Sequence, residues 1–294
     1  KLTCMQDLMC VRSYAKVNFG LNVLPKRDDG YHNLESIFQT IDLYDELIVS
    51  RQEKKECTVT CKSMSLPQEN TLTGAYKAFC KVTGKCEFGL RVDLKKGIPS
   101  GGGLGGGSSD AASLIRVMQS FYGLQLSASQ LSEIAGEVGS DVFFFTRCNE
   151  NGTGAALVSG RGERVENING RNDLFLLLVF PKVSSSTKLA YDLIDRMFAE
   201  GKTIQSPSLE ELEGIYNLAP EKWSFINTFT PVVSAQYPEI GQAIKMVSEA
   251  GALYTELSGS GSTVFGIFTS MQQAIYSRNL LADDWNCKVV KTIC

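Results

Sequence analysis

The sequence predicts an α+β protein of two domains. Three observations carry that expectation. Strand-like and helix-like stretches are mixed without strict β-α alternation, which argues against a doubly wound parallel sheet. A chain of 294 residues is long enough to build two cores. The texture changes near residues 150–165, which sets the expected division at an N-terminal domain over 1–157 and a C-terminal domain over 158–294.

Each element has its own signal. Residues 12–24 alternate, with Ala15, Val17, Phe19, Leu21 and Val23 on one face and Lys16, Asn18, Gly20 and Asn22 on the other, as in a strand with one buried side. Asp28-Asp29-Gly30 marks a turn, and strand-like runs follow at 34–41, 46–51 and 57–62. Residues 72–82 read as a helix and 88–94 as a strand leading through Pro99 into a glycine-rich loop. Beyond that loop Ala111, Leu114, Ile115, Met118, Phe121 and Tyr122 recur at helical spacing, with Ser108 or Ser109 expected to cap the helix. A second helix is expected over 126–138, with Ser127 or Ser129 near its start. Gly139-Ser140-Asp141 then carries one acid into an apolar run, a position that fits a helix-to-strand turn. The second half offers strands at 174–180 and 287–293, and helices at 187–199 and 271–282. It also offers one or two helices over 232–250, and a small-residue loop at 257–263 running into a strand.

Composition narrows the function. Hydrophobic content of 43% with 21% charged residues describes an ordinary globular protein. A net charge of −3 gives no general attraction for nucleic acid or anionic membrane. No window approaches the roughly 18 apolar residues of a membrane span, and residues 1–10 lack the apolar core of a secretory leader. A cytoplasmic location is therefore expected. The nine cysteines include no Cys-x-x-Cys pair and His32 is the only histidine, which argues against a structural zinc site and for reduced thiols.

The most informative stretch is 99–112, with six glycines in the seven positions 101–107, then Ser108, Ser109 and a helix. Backbone N–H groups at such a helix start can close around an anion, and residues without Cβ let it approach. Gly101, Gly103 and Gly106 formally satisfy a dinucleotide pattern, but residues 119–130 lack the acidic partner that reading needs. Gly107-Ser108-Ser109 lacks the lysine of a Walker loop. The His-Arg-Asp and Asp-Phe-Gly signatures of protein kinases are absent.

Pro99-x-Gly-Gly-Gly-Leu-Gly-Gly-Gly-Ser-Ser-x-Ala-Ala112 resembles the phosphate-binding motif of the GHMP kinases. Ala15-Lys16-Val17-Asn18 and Ser258-Gly259-Ser260-Gly261-Ser262 match that family's other two motifs in order. Asp29-Gly30-Tyr31-His32 and Gly139-Ser140-Asp141-Val142 narrow the likeness to the branch that phosphorylates a methylerythritol linked to cytidine diphosphate, on the non-mevalonate route to isoprenoids. The likeness runs from about residue 12 to residue 268.

The resemblance implies a two-domain GHMP kinase fold, with a ribosomal-protein-S5-domain-2-like N-terminal domain and a ferredoxin-like C-terminal α/β sandwich. It implies transfer of the ATP γ-phosphoryl group to an alcohol, with Asp141 as general base and Lys16 beside it. Asn18, Tyr31, His32, Thr187 and Tyr191 are the implied substrate contacts, Tyr31 and Tyr191 by stacking on cytosine. Nucleotide is assigned to Asn70, Lys96, Pro99, Gly101, Gly102, Gly103, Leu104, Gly105, Gly106, Gly107, Ser108 and Ser109, with Ser258, Gly259, Ser260 and Gly261 as a second set of donors. Mg²⁺ is expected with the ATP, without an assigned protein ligand. The implied partner is a small molecule, and a monomer or weak homodimer is expected. Asp110 departs from the asparagine expected at that place; it could hold Mg²⁺ or cap the helix. The competing readings are another small-molecule kinase of the homoserine or mevalonate kinase type, and a catalytically silent metabolite sensor. The cytosine-holding Tyr31-His32 pair argues against the first, and retention of Lys16 and Asp141 against the second.

Overall fold

The computed structural model describes residues 8–294; the reading of the extreme N-terminus falls partly outside these described residues. The chain divides into two compact units that do not follow chain order. One comprises residues up to 15, 43–99 and 105–153; the other comprises 16–42, 100–104 and 154–294. A single cut after 157 does not separate them. The reason is two long strands, β1 (Leu8–Lys26) and β2 (His32–Gln52), each contributing to both units. The expected strands at 34–41 and 46–51 are therefore one, because no glycine or proline interrupts 33–52.

In the first unit the second half of β2 pairs antiparallel with β4 (Gly89–Lys95), and β3 (Cys57–Cys61) runs parallel to β4. Four helices complete it: α1 (Thr71–Thr83), α2 (Gly106–Tyr122), α3 (Ala128–Val138) and α4 (Ser140–Arg147). Leu47, Val49, Leu90 and Val92 from the strands pack with Phe79, Leu114, Ile115, Met118 and Ile134 from the helices. Side chains on a strand alternate while those on a helix recur every three to four residues, so each element turns one apolar face to this core. Asp141 falls inside the first turn of α4 rather than at a helix-to-strand turn. The run Val142–Phe145 is too short for periodicity to tell strand from helix.

In the second unit the first half of β2 pairs with β5 (Ala155–Gly160), which forms a hairpin with β6 (Arg164–Ile168). A separate antiparallel sheet has the order β10-β7-β9-β8. Its strands are β7 (Phe175–Phe180), β8 (Tyr254–Leu257), β9 (Val264–Phe268) and β10 (Asn286–Lys291). Five helices belong to this unit: α5 (Thr187–Ala199), α6 (Leu209–Tyr216), α7 (Phe229–Gln236), α8 (Pro238–Glu249) and α9 (Met271–Leu281). The expected helical stretch at 232–250 is two helices, with Pro238 at the first position of α8, where its missing N–H costs nothing. Leu177, Val179, Ile194, Phe229, Val233, Ile240, Val247 and Val264 form the core. No helix among the described residues is long and apolar enough to cross a membrane. The described cysteines are all free thiols.

Candidate active site

Helix starts organise the first unit. Asn70 Oδ1 accepts from the backbone N–H of Leu72 (3.0 Å) and Thr73 (3.2 Å), and Asn70 Nδ2 donates to the Pro67 carbonyl. Asn70, assigned to nucleotide on sequence grounds, thus also caps α1. Ser127 caps α3 in the same way, with Gln130 answering back. Helix α2 differs. It begins at Gly106 behind Gly105, whose φ of 71° is left-handed, and no side chain caps it. Ser108 and Ser109 therefore lie within the first turn instead of capping it, and Ser109 N–H already donates to the Gly105 carbonyl. The N–H groups of Gly106, Gly107 and Ser108 lie at the helix start, where no preceding turn supplies a carbonyl.

The neighbours of that turn are close. A Cβ on Gly106 would lie 3.1 Å from Ile98 Cγ2 and 3.3 Å from Lys96 Nζ, and one on Gly107 would lie 3.2 Å from Thr71 Oγ1. Lys96, the second residue given to nucleotide, is held by two carboxylates, Asp45 and Asp110. Burial works against its ammonium, but attraction to Asp110 and Asp45 outweighs that and raises its pKa. Asp141, half-buried, is the second residue of α4, another helix whose start carries no side-chain cap. A negative side chain there is the placement the helix dipole favours.

The second unit holds the other implied residues. Lys16 is only 3% exposed, so the polar face of β1 is not a solvated one. Its Nζ donates to Asn18 Oδ1 at 2.7 Å and to the Gly103 carbonyl at 3.1 Å, and lies 4.6 Å from the centre of the Phe38 ring. Asn18 Nδ2 donates to Ser36 Oγ at 3.2 Å. Ser258 Oγ donates to the Gly103 carbonyl at 3.0 Å, and a Cβ on Gly103 would sit 1.9 Å from the Ser258 carbonyl oxygen. With φ of 76°, Gly103 is a position no other residue fills without rebuilding the loop. The structure thus joins Lys16, Asn18, Gly103 and Ser258. Thr187 Oγ1 and Ser260 Oγ lie 2.9 Å apart, and Ser185 Oγ donates to the Ser260 carbonyl at 2.8 Å.

His32 and Tyr191 stack on each other at 5.2 Å and 28°. His32 Nδ1 lies 2.7 Å from the Leu24 carbonyl, and its Nε2 is 3.1 Å from Asp195 Oδ1 but off the line of a hydrogen bond. Tyr31 is 51% exposed, and Arg161 lies 3.6 Å over its ring. Sequence reasoning missed Asp45, Ser36, Arg161, Ser185 and Asp195. Asp45 reaches Lys96 from 51 positions away, whereas Ser185 lies just before Thr187 and Asp195 one turn beyond Tyr191 on α5.

Comparison with known proteins gives the family. The model of the GHMP kinases N-terminal domain matches residues 70–149, and that of the GHMP kinases C-terminal domain matches 207–280. A 4-diphosphocytidyl-2-C-methyl-D-erythritol kinase of Treponema pallidum is 39% identical, over 99% of this chain and 100% of its own. One of the same name from Thermotoga maritima is 40% identical, over 87% of this chain and 90% of its own. A crystal structure of a 4-(cytidine 5'-diphospho)-2C-methyl-D-erythritol kinase superposes with a TM-score of 0.76 at 28% identity, over 97% of this chain and 99% of the other.

Proposed function

This chain belongs to the GHMP kinases, and we propose that it transfers the γ-phosphoryl group of ATP to the 2-hydroxyl of 4-diphosphocytidyl-2-C-methyl-D-erythritol. The observation that carries the nucleotide half is the uncapped start of α2, where the N–H groups of Gly106, Gly107 and Ser108 lie before any carbonyl of a preceding turn. Phosphoryl transfer needs little covalent work from the protein; it needs an oriented alcohol and offset charge. Asp141 takes the hydroxyl proton as general base, and Lys16 supplies positive charge to the developing alkoxide. Asn18 fixes the acceptor end. Tyr31, His32 and Tyr191 hold the cytosine, and Thr187 contacts the substrate near Ser260. Pro99, Gly101 to Gly107, Ser108 and Ser109 follow the phosphates, with Leu104 and Gly102 shaping the loop. Ser258 to Gly261 add donors from their own unit, and Asn70 and Lys96 border the adenosine end. Mg²⁺ would offset phosphate charge. It would come with the nucleotide, without an assigned protein ligand. We place the enzyme in the cytoplasm, acting on a small molecule without nucleic acid or membrane, as a monomer or weak homodimer.

The test is ADP release with three acceptors: the cytidylyl substrate, homoserine and mevalonate. ADP with the first alone is the expected result. ADP with either of the others reassigns the acceptor, and binding without ADP from any of them makes the chain a sensor.

A further inference from the structure

Three charged side chains meet where β4 ends and α2 begins, and the phosphoryl-transfer chemistry uses none of their carboxylates. Asp45, on β2, is fully buried and fully used. Its Oδ1 accepts from the backbone N–H of Gly97 (2.6 Å) and Ile98 (2.8 Å), and its Oδ2 accepts from Lys96 Nζ. Asp110, in the second turn of α2 and 2% exposed, reaches the same Nζ with Oδ2 at 3.4 Å. Its Oδ1 has no partner at good hydrogen-bond geometry among the described residues. The buried Ser13 hydroxyl of β1, itself otherwise unpartnered, faces the carboxylate and draws its pKa down, the weakest of the influences on it. The cluster therefore holds two carboxylates, one ammonium and one orphaned carboxylate oxygen.

A buried charge without compensation is costly, and the usual resolution is a proton. Burial pushes the Asp110 carboxyl up, by more than Lys96 draws it down, and repulsion from Asp45 adds to the rise, to about 7. The charged groups facing it are Lys96 at the end of β4 and Asp45 on β2. Ser13 comes from β1, Thr71 of α1 lies beside Gly107, and α3 and α4 meet the core of α2 through apolar Ile134, Ala135 and Val142. At about 1.5 Å of rise per residue, Asp110 sits roughly 6 Å along the helix from Gly106.

We propose that Asp110 is a positioning residue that takes up a proton when nucleotide binds, bringing the Asp45–Lys96–Asp110 cluster to zero net charge just behind the phosphate-binding N–H groups. When Asp110 is ionised, the cluster sets a negative charge against an incoming polyanion; when it is protonated, that charge is gone and the orphaned oxygen carries a hydrogen. Nucleotide affinity then falls as pH rises through neutrality. The inference rests on assigning the phosphates to the start of α2.

The test is calorimetric binding of the Mg²⁺ complex of a non-hydrolysable ATP analogue to the full-length wild type and Asp110→Asn. Titrations run between pH 6 and 9, in buffers of different ionisation heat. The wild type is expected to take up a substantial fraction of a proton near pH 7.5 and to lose about tenfold in affinity from pH 6.5 to 8.5, the effect of one like charge nearby. Asp110→Asn is expected to bind with the wild type's low-pH affinity, without that uptake. The wild-type proton count stands without the variant. Tight binding with equal proton uptake and equal pH dependence in both proteins overturns the inference alone. No analogue binding by the wild type overturns it together with the nucleotide assignment.

Discussion

Helices α1 and α3 begin on residues that close their own first turns. Asn70 and Thr73 satisfy each other's backbone at one, Ser127 and Gln130 at the other. Helices α2 and α4, in the same unit, begin on Gly105 and Gly139, which offer no side chain to cap them. A capping side chain stabilises a helix by about 1 kcal/mol, so two uncapped starts forgo that gain. Helices α1 and α3 close the hydrogen bonds of their first turns with their own side chains, whereas α2 and α4 receive no cap from the residue before them, which is what the proposed roles of the two starts require. Asp141 lies at one open start and the glycine loop at the other.

The contrast can be broken at each point. Asp141→Asn keeps the shape of α4 and removes the base. We expect kcat to fall by about 10²–10⁴-fold with KM for ATP little changed; a variant with near-normal turnover removes α4 from the chemistry. Gly103→Ala places a Cβ 1.9 Å from the Ser258 carbonyl at a left-handed φ. It should raise KM for ATP by about tenfold or more and lower Tm, because the loop must rebuild. Tyr31→Ala should raise KM for the cytidylyl substrate by about 5- to 150-fold, the worth of one stacked base. The KM for ATP should be unmoved, and an equal rise in both would take Tyr31 off the cytosine.

Stability gives the smaller effects. The Asp110 carboxyl titrates higher in the fold than its ordinary value, so the fold binds a proton there that the unfolded chain has released. Its contribution is full below about pH 4 and is lost as pH rises through about 7. Asp110→Asn should therefore raise Tm by a few degrees at pH 8 and by little at pH 4; equal shifts at both would remove the titration. Ser127→Ala should cost about 1 kcal/mol, read as a small fall in Tm, with kcat preserved.

Much of this was legible in the chain. Residues 72–82, 111–122 and 187–199 each carry an apolar stripe and a cap or glycine stop, and each is a helix. The hairpin β5–β6 and helix α6 were not read, because Ala155–Gly160 and Arg164–Ile168 are short and the Glu-rich α6 has only a narrow apolar edge. The motif residues were visible as motifs. What they touch was not. Lys16 shares its alternating face with Asn18 and Asn22, which points to a hydrogen-bonding site, but its bond to the Gly103 carbonyl, 87 positions away, is set by the fold alone. Asp45 sits in Asp-Leu-Tyr-Asp-Glu, an ordinary strand pattern, and only the fold sets it against Lys96 from 51 positions away. Local pattern writes the elements; the partners of a buried charge are long-range and leave no spacing to read.

The most direct test follows backbone amide resonances on addition of a non-hydrolysable ATP analogue with Mg²⁺. Large shifts and slowed exchange are expected at Gly106, Gly107 and Ser108, and little change at Gln130 of α3. Unmoved amides at the start of α2, with nucleotide bound, would contradict the assignment of the phosphates there.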